Sequence, residues 1–327
     1  VARPLPPPSP RFALGTFATA DAPPFAGLVS DDRVVELTGA VPGGGSVRQL
    51  LDTWDDTLAA LDALTRRPDL PWLDLADLRV LPPFVPGQVI QSGANYRTHV
   101  IDLVAAHREA DDPRGEDEAR ADAAAMMDRR AAEGEPYLFA GLPSAVCGPY
   151  DDVVLPGYSD SHDWELELAA VIGRPAFRVT PEDALDHVAG YTIANDITTR
   201  DLVFRRDMPE IGTDWLRAKN APTFLPLGPY LVPAARAGDP ADLRVRLSLN
   251  GEAMQDESTG DMVFGVAQLV SAASRTVPLH PGDLVLTGSP AGNGMHWGRL
   301  LKDGDTMEGS ITGLGTQRNR CVAEGDR

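Results

Sequence analysis

Apolar and polar positions change period several times along the chain, and each change predicts an element. RFALGTF, FAGLVS and RVVELTG are short apolar-rich segments punctuated by Gly, Pro or Asp, a pattern of strands. In SVRQLLDTWDDTLAALDAL, residues Val47, Leu50, Leu51, Trp54, Leu58 and Leu61 recur at steps of three and four, which predicts one helix. The proline-rich stretch RRPDLPWLDLADLRVLPPFVPGQ marks a boundary, so residues 1–85 are expected to form a small α+β domain and residues 86–327 the main one. YRTHVIDLVAAHREA and EDEARADAAAMMDRRAAEGE predict two helices joined at DDPRG. Beyond Pro143 the segments VVLPG, WELELAAVIG, AGYTIAND, LPLGPYLVP, LRVRLSLNG and DLVLTGSP predict strands. One helix interrupts them at DMVFGVAQLVSAASRT, with Phe264, Val266, Leu269 and Val270 as its apolar positions. Strands outnumber helices, so the expected class is a β-rich α+β fold, a barrel or sandwich rather than a doubly wound sheet.

Composition narrows the partners. A formal charge of −19 repels phosphate backbones and anionic membrane surfaces, so neither nucleic acid nor membrane is expected. The chain has no apolar run of membrane-spanning length, and VARPLPPPSP has no signal-type apolar core, which predicts a cytoplasmic protein. Cys147 and Cys321 lack metal-ligand spacing and read as ordinary thiols.

Candidate chemistry begins at HDWELELAAVIGR. Side chains two apart on a strand share a face, so Glu165 and Glu167 stand roughly 7 Å apart at their Cα atoms, with Trp164, Leu166 and Leu168 opposite. The run continues as a strand covered on both faces, where unpaired carboxylates must be protonated or neutralised by a cation. Asp196, at the end of GYTIAND, offers a third carboxylate. Three hard oxygen donors without a Cys or His cluster favour magnesium, manganese or calcium over zinc. Arg200 can hold an anion in its fork or pair with Asp201 or another acid. His99 and Asp102, three apart at a helix start, can form an oriented general base or a surface cap. Lys219 alone reads as a surface lysine, and TGSPAGNG as a turn able to aim N–H groups at an anion.

Taken in order, SGANYRTHV, DWELELAAVIGR, AGYTIANDITTRDL, AKNAPTFLPLGPYLV, GDLVLTGSPAGNG and GLGTQRN resemble the fumarylacetoacetate hydrolase family. The resemblance implies a mixed β-sandwich roll with a smaller N-terminal domain, assembled as a homodimer. It implies a divalent cation, magnesium before manganese or calcium, on Glu165, Glu167 and Asp196. It further implies His99 and Asp102 as a water-activating pair on a helical lid, with Lys219 beside the metal; the helical segment 103–136 that follows the pair either closes over the substrate as a lid or packs on the partner subunit. Arg200, Thr287, Gly288 and Ser289 fall at substrate-binding positions. The chain departs from the family at Asp102, where glutamate is usual, at Gly141 in place of a lysine, and at Val203 in place of a glutamine. The expected activity is hydrolysis of a carbon–carbon bond in a 1,3-diketo or acylpyruvate-like acid. Decarboxylation of an oxaloacetate-like acid, or isomerisation or dehydration of a keto acid, is the alternative on the same site, and a noncatalytic ligand-binding member is a third reading.

Overall fold

The computed structural model describes residues 12–20, 22–106 and 115–325. The proline-rich start and most of the DDPRG junction lie outside them. A six-stranded sheet forms the centre, in the order Val232–Pro233, Val188–Asn195, Leu166–Ile172, Leu284–Leu286, Val89–Gly93, Tyr137–Gly141. All pairs are antiparallel except Leu284–Leu286 with Val89–Gly93. A five-stranded sheet of Glu252–Ser258, Arg244–Leu249, Thr306–Ile311, Gly315–Ala323 and Val153–Leu155 packs on it.

The strand Leu166–Ile172 is buried at all seven positions and divides two cores by its period of two. Leu166, Leu168, Ala170 and Ile172 join Val245, Leu247, Met307 and Ile311 between the sheets. Ala169 and Val171 face Leu284, Leu286, Leu227 and Leu231. Trp164 belongs to the first core, and its indole N–H donates to Gly292 O at 3.0 Å.

The N-terminal residues build a sheet in the order Leu73–Asp74, Arg33–Glu36, Phe25–Ser30, Ala13–Ala18, Arg79–Leu81. It is not insulated from the rest, because Leu14 and Leu231 exchange backbone hydrogen bonds at 2.8 Å in each direction and both cores run through it. The predicted single helix is two, Val47–Asp52 and Trp54–Thr65. Thr53 leaves the helical region at φ −131°, and the Thr57 hydroxyl donates to Leu50 O at 2.8 Å, so a side chain takes over a carbonyl that the helix would have used.

Glu116–Glu133 forms a helix that buries a narrow stripe of Ala119, Ala123 and Met127. Met126 is exposed because its position lies off that stripe. Anchoring is largely ionic. Arg97 meets Asp128 with two bonds of 2.9 and 3.2 Å, Arg120 meets Asp102 at 2.8 Å, and Arg130 donates to Ala94 O while lying over the Phe264 ring. Partly exposed ion pairs are screened by salt whereas apolar burial is not. Amide exchange protection across Glu116–Glu133 is therefore expected to fall between low salt and about 1 M salt, with Leu166–Ile172 unchanged. Equal loss in both segments would show that the helix is held by the same apolar core as the sheet.

Candidate metal centre

Topology brings the acids together. The antiparallel register sets Leu166 opposite Asn195 and Glu167 opposite Ala194, so the start of one strand meets the end of the other. Glu165, just before the strand, accepts the Asp196 N–H on its backbone carbonyl at 2.8 Å, and its own N–H goes to Asn195 Oδ1 at 3.0 Å. Glu165, Glu167 and Asp196 each offer a carboxylate oxygen within 4.8 Å of the others, all buried. Leu284–Leu286 and Val89–Gly93 run parallel to one another and deliver Thr287, Gly288 and Gln91 to the same end of the sheet.

Lys219 is buried rather than superficial. It ends the short helix Trp215–Lys219, which Asp214 caps, and its ammonium contacts Glu165 Oε2 at 2.7 Å, Asp196 Oδ2, and Thr198 Oγ1 at 2.8 Å. The rings of Trp215 and Phe139, stacked on each other, lie 5.7 and 5.8 Å from it. Burial opposes its charge, but Asp196 and Glu165 outweigh that and keep its pKa above the ordinary lysine value.

Arg200 is held by protein acids, donating from Nε to Asp163 and from Nη2 to Glu165, each at 2.7 Å. Asp201, its suggested partner, instead accepts from Ser159 Oγ. Asp163 is a member that sequence reading passed over. It also accepts the N–H groups of Trp164 and Gly294, tying the Arg200 side of the site to the turn at 293–297. Its signal was present, since Asp163, Glu165 and Glu167 occupy alternate positions of one extended segment.

The turn after Leu286 supports the carboxylates from the other side. Gly288 N–H donates to Glu167 Oε2 at 2.7 Å, and its φ of +85°, with Asn95 Cβ and Ser92 O 3.1 Å from any added Cβ, requires glycine. Thr287 Oγ1 donates to Leu168 O, and Ser289 Oγ accepts from Gln255. Asn95 Nδ2 donates to Thr287 O and Phe264 O, fixing the start of the His99 segment against this turn. Asp261 then takes the Thr98 N–H at the head of the helix Arg97–Ala106.

His99 is buried, and no hydrogen bond joins it to Asp102 among the described residues. Asp102 faces outward to Arg120 and lies 3.9 Å from His296 Nδ1, so the short aspartate is drawn to the Glu116–Glu133 helix instead of orienting the imidazole. Burial lowers the His99 pKa to about 4, despite an opposing pull from Glu165, so the ring is neutral at neutral pH.

The donors fit a divalent cation. Asp163, Glu165, Glu167 and Asp196 are four carboxylates against two cations, Arg200 and Lys219, leaving a deficit of two positive charges. Glu167, whose one hydrogen-bond partner among the described residues is the Gly288 N–H, is pushed well above the carboxylate range by burial and by Asp196. Burial raises Asp196 to about 6 even beside Lys219. Glu165 alone is held low, because Arg200 and Lys219 outweigh its burial.

Fold and site together define a mixed β-roll protein with a buried carboxylate cluster, able to hold a cation, at one end of its main sheet. The C-terminal domain model of fumarylacetoacetate (FAA) hydrolase matches residues 88–322, and the chain belongs to the fumarylacetoacetate hydrolase family. Oxaloacetate tautomerase FAHD2B, mitochondrial, of Homo sapiens is 36% identical over 281 residues, 85% of this chain and 80% of that one. Fumarylacetoacetate hydrolase domain-containing protein 2 of Pongo abelii is 42% identical over 190 residues, 58% of this chain and 59% of that protein. Maleylpyruvate hydrolase from Sphingobium sp. SYK-6, solved with manganese(II) and pyruvate, superposes with a TM-score of 0.73 at 26% identity, covering 96% of this chain and 100% of that one. Among the described residues no helix is long and apolar enough to cross a membrane.

Proposed function

We propose that this chain is a divalent-cation-dependent enzyme that moves a proton at the carbon beside the carbonyl of an oxaloacetate-like 2-oxo acid, interconverting its keto and enol forms. Its ligand is a small keto acid and its assembly a homodimer. The observation that carries this reading is the place of His99, buried and separated from an Asp102 that Arg120 holds. Without a carboxylate to orient it and balance its charge the ring is poorly set to activate water, whereas the more acidic C–H of a chelated 2-oxo acid asks only for a neutral base. The tautomerase named above supports the same choice.

A cation on Glu165, Glu167 and Asp196 supplies Lewis-acid polarisation of the carbonyl and charge balance for the enolate. The chain's own residues do the rest. His99 accepts the carbon-bound proton and returns it to the other form. Lys219 keeps its proton and holds positive charge beside the developing oxyanion. Arg200 and the Gly288 N–H fix the two glutamates, while Trp215 and Phe139 cover the ammonium against water.

Carbon–carbon hydrolysis is the second reading, favoured by one feature. Asp102 is held by Arg120, whose side chain is 41% exposed, so movement of the Glu116–Glu133 helix would free the carboxylate for His99. Following the ultraviolet absorbance of enol-oxaloacetate with manganese-loaded protein separates the two. Faster decay than with manganese alone, with deuterium entering C3 from heavy water, is expected. No acceleration, together with oxygen-18 from water appearing in the acid products of an acylpyruvate, would replace tautomerisation by hydrolysis.

A further inference from the structure

Gln91 is 2% exposed, and its Nε2 donates to Asp196 Oδ1 at 2.6 Å. Its Oε1 is buried without a hydrogen-bond partner among the described residues. The neighbouring strand explains how this pose is possible. Val89–Gly93 pairs with Tyr137–Gly141, setting Val89 opposite Gly141 and Gln91 opposite Phe139. A Cβ on Gly141 would stand 2.8 Å from Gln91 Oε1, 2.9 Å from its Cδ and 3.2 Å from Val89 Cγ1. The amide lies where it does because residue 141 has no side chain.

We propose that Gln91 is a positioning residue of the cation centre, its amide lodged in the space that Gly141 leaves open. With Oδ1 engaged by the amide, Asp196 turns Oδ2 toward Lys219 and the centre. A carboxylate restrained this way need not be ordered when the cation arrives. The half-satisfied amide is not explained by stability alone, since its unpaired Oε1 carries a cost to the fold that offsets the bond Nε2 makes to Asp196. Stability and cation affinity should therefore move independently when it is replaced. The inference rests on the cation reading of the three acids.

Calorimetric titration with Mn²⁺, paired with thermal unfolding of the metal-free protein, tests it. Gln91→Met is expected to weaken Mn²⁺ binding about 10- to 100-fold while the unfolding temperature changes little, because loss of the bond to Asp196 is offset by removal of the unpaired Oε1. Gln91→Ala is expected to weaken binding similarly. Gly141→Ala, whose added Cβ would stand 2.8 Å from Gln91 Oε1 and displace the amide, should weaken binding in the same direction. Wild-type affinity in Gln91→Met or in Gln91→Ala overturns the inference. Wild-type protein that takes up no Mn²⁺ overturns the cation reading itself, and this inference with it.

Discussion

Glu167→Ala is expected to abolish divalent-cation binding, and turnover with it. Among the described residues Glu167 is the acid of the three without a cationic contact, held by the Gly288 N–H alone, so its charge awaits an added cation. Removing a partner of Asp196 or Glu165 disturbs orientation, whereas removing Glu167 deletes an oxygen donor, and the loss should exceed the ~100-fold upper range for supporting residues. The sign of the pH dependence follows from the raised groups. Asp196 is raised from 3.8 to about 6, so the stability it allows is present below 3.8 and is lost as pH rises through about 6 in the metal-free protein. Glu167 extends the same loss to higher pH. Cation binding requires both acids deprotonated, so it must release protons, strengthen with rising pH and restore the stability lost there. Titration calorimetry in two buffers of different ionisation heat reads the proton release. Glu167→Ala should bind no Mn²⁺, yet in the metal-free state it should unfold at a higher temperature than wild type above pH ~6. A variant that binds Mn²⁺ like wild type would remove Glu167 from the centre.

His99→Ala is expected to lower turnover about 10²- to 10⁴-fold, the range of a positioned base, with Mn²⁺ affinity near that of wild type. The imidazole makes no hydrogen bond to the acids that would hold the cation, and its pKa is set first by burial and only then by Glu165 and Arg200. Its neutral form is the active one. The folded protein disfavours the charged ring, so this contribution to stability is present above 6.5 and lost as pH falls toward about 4, and with Mn²⁺ kept saturating at every pH the acid limb of kcat/KM in wild type should lie near the lower value. Asp102→Asn separates the two chemistries. It should cost tautomerisation little, because Asp102 contacts Arg120 rather than His99, but hydrolysis assisted by a freed Asp102 would lose about as much as in His99→Ala. Full turnover in His99→Ala would show that the proton is moved by another group, with His296, 3.9 Å from Asp102, the next to replace.

The sequence by itself determined the strand and what it buries. The alternation through DWELELAAVI sends Trp164, Leu166 and Leu168 one way and Glu165 and Glu167 the other, because strand side chains alternate whatever surrounds them. Asp196 was legible for a similar reason, closing an apolar segment whose last residues pair with the first of that strand. The β-rich class was legible from the same short-range patterns, as was the helix Val266–Thr276 with Val266, Leu269 and Val270 buried, though Phe264, expected within it, lies buried ahead of the Gly265 cap. Which side chain answers which was decided only by tertiary structure. Asp102 lies three residues from His99 but pairs with Arg120 across a helix contact, and Arg200 bypasses adjacent Asp201 for Asp163 and Glu165. Gln91 reaches Asp196 through a gap opened by Gly141, fifty residues away on the next strand. Periodicity is local, a property of backbone geometry over a few residues. Ion pairs and shared space depend on sheet register and helix docking, which bring together residues that no short stretch of sequence relates.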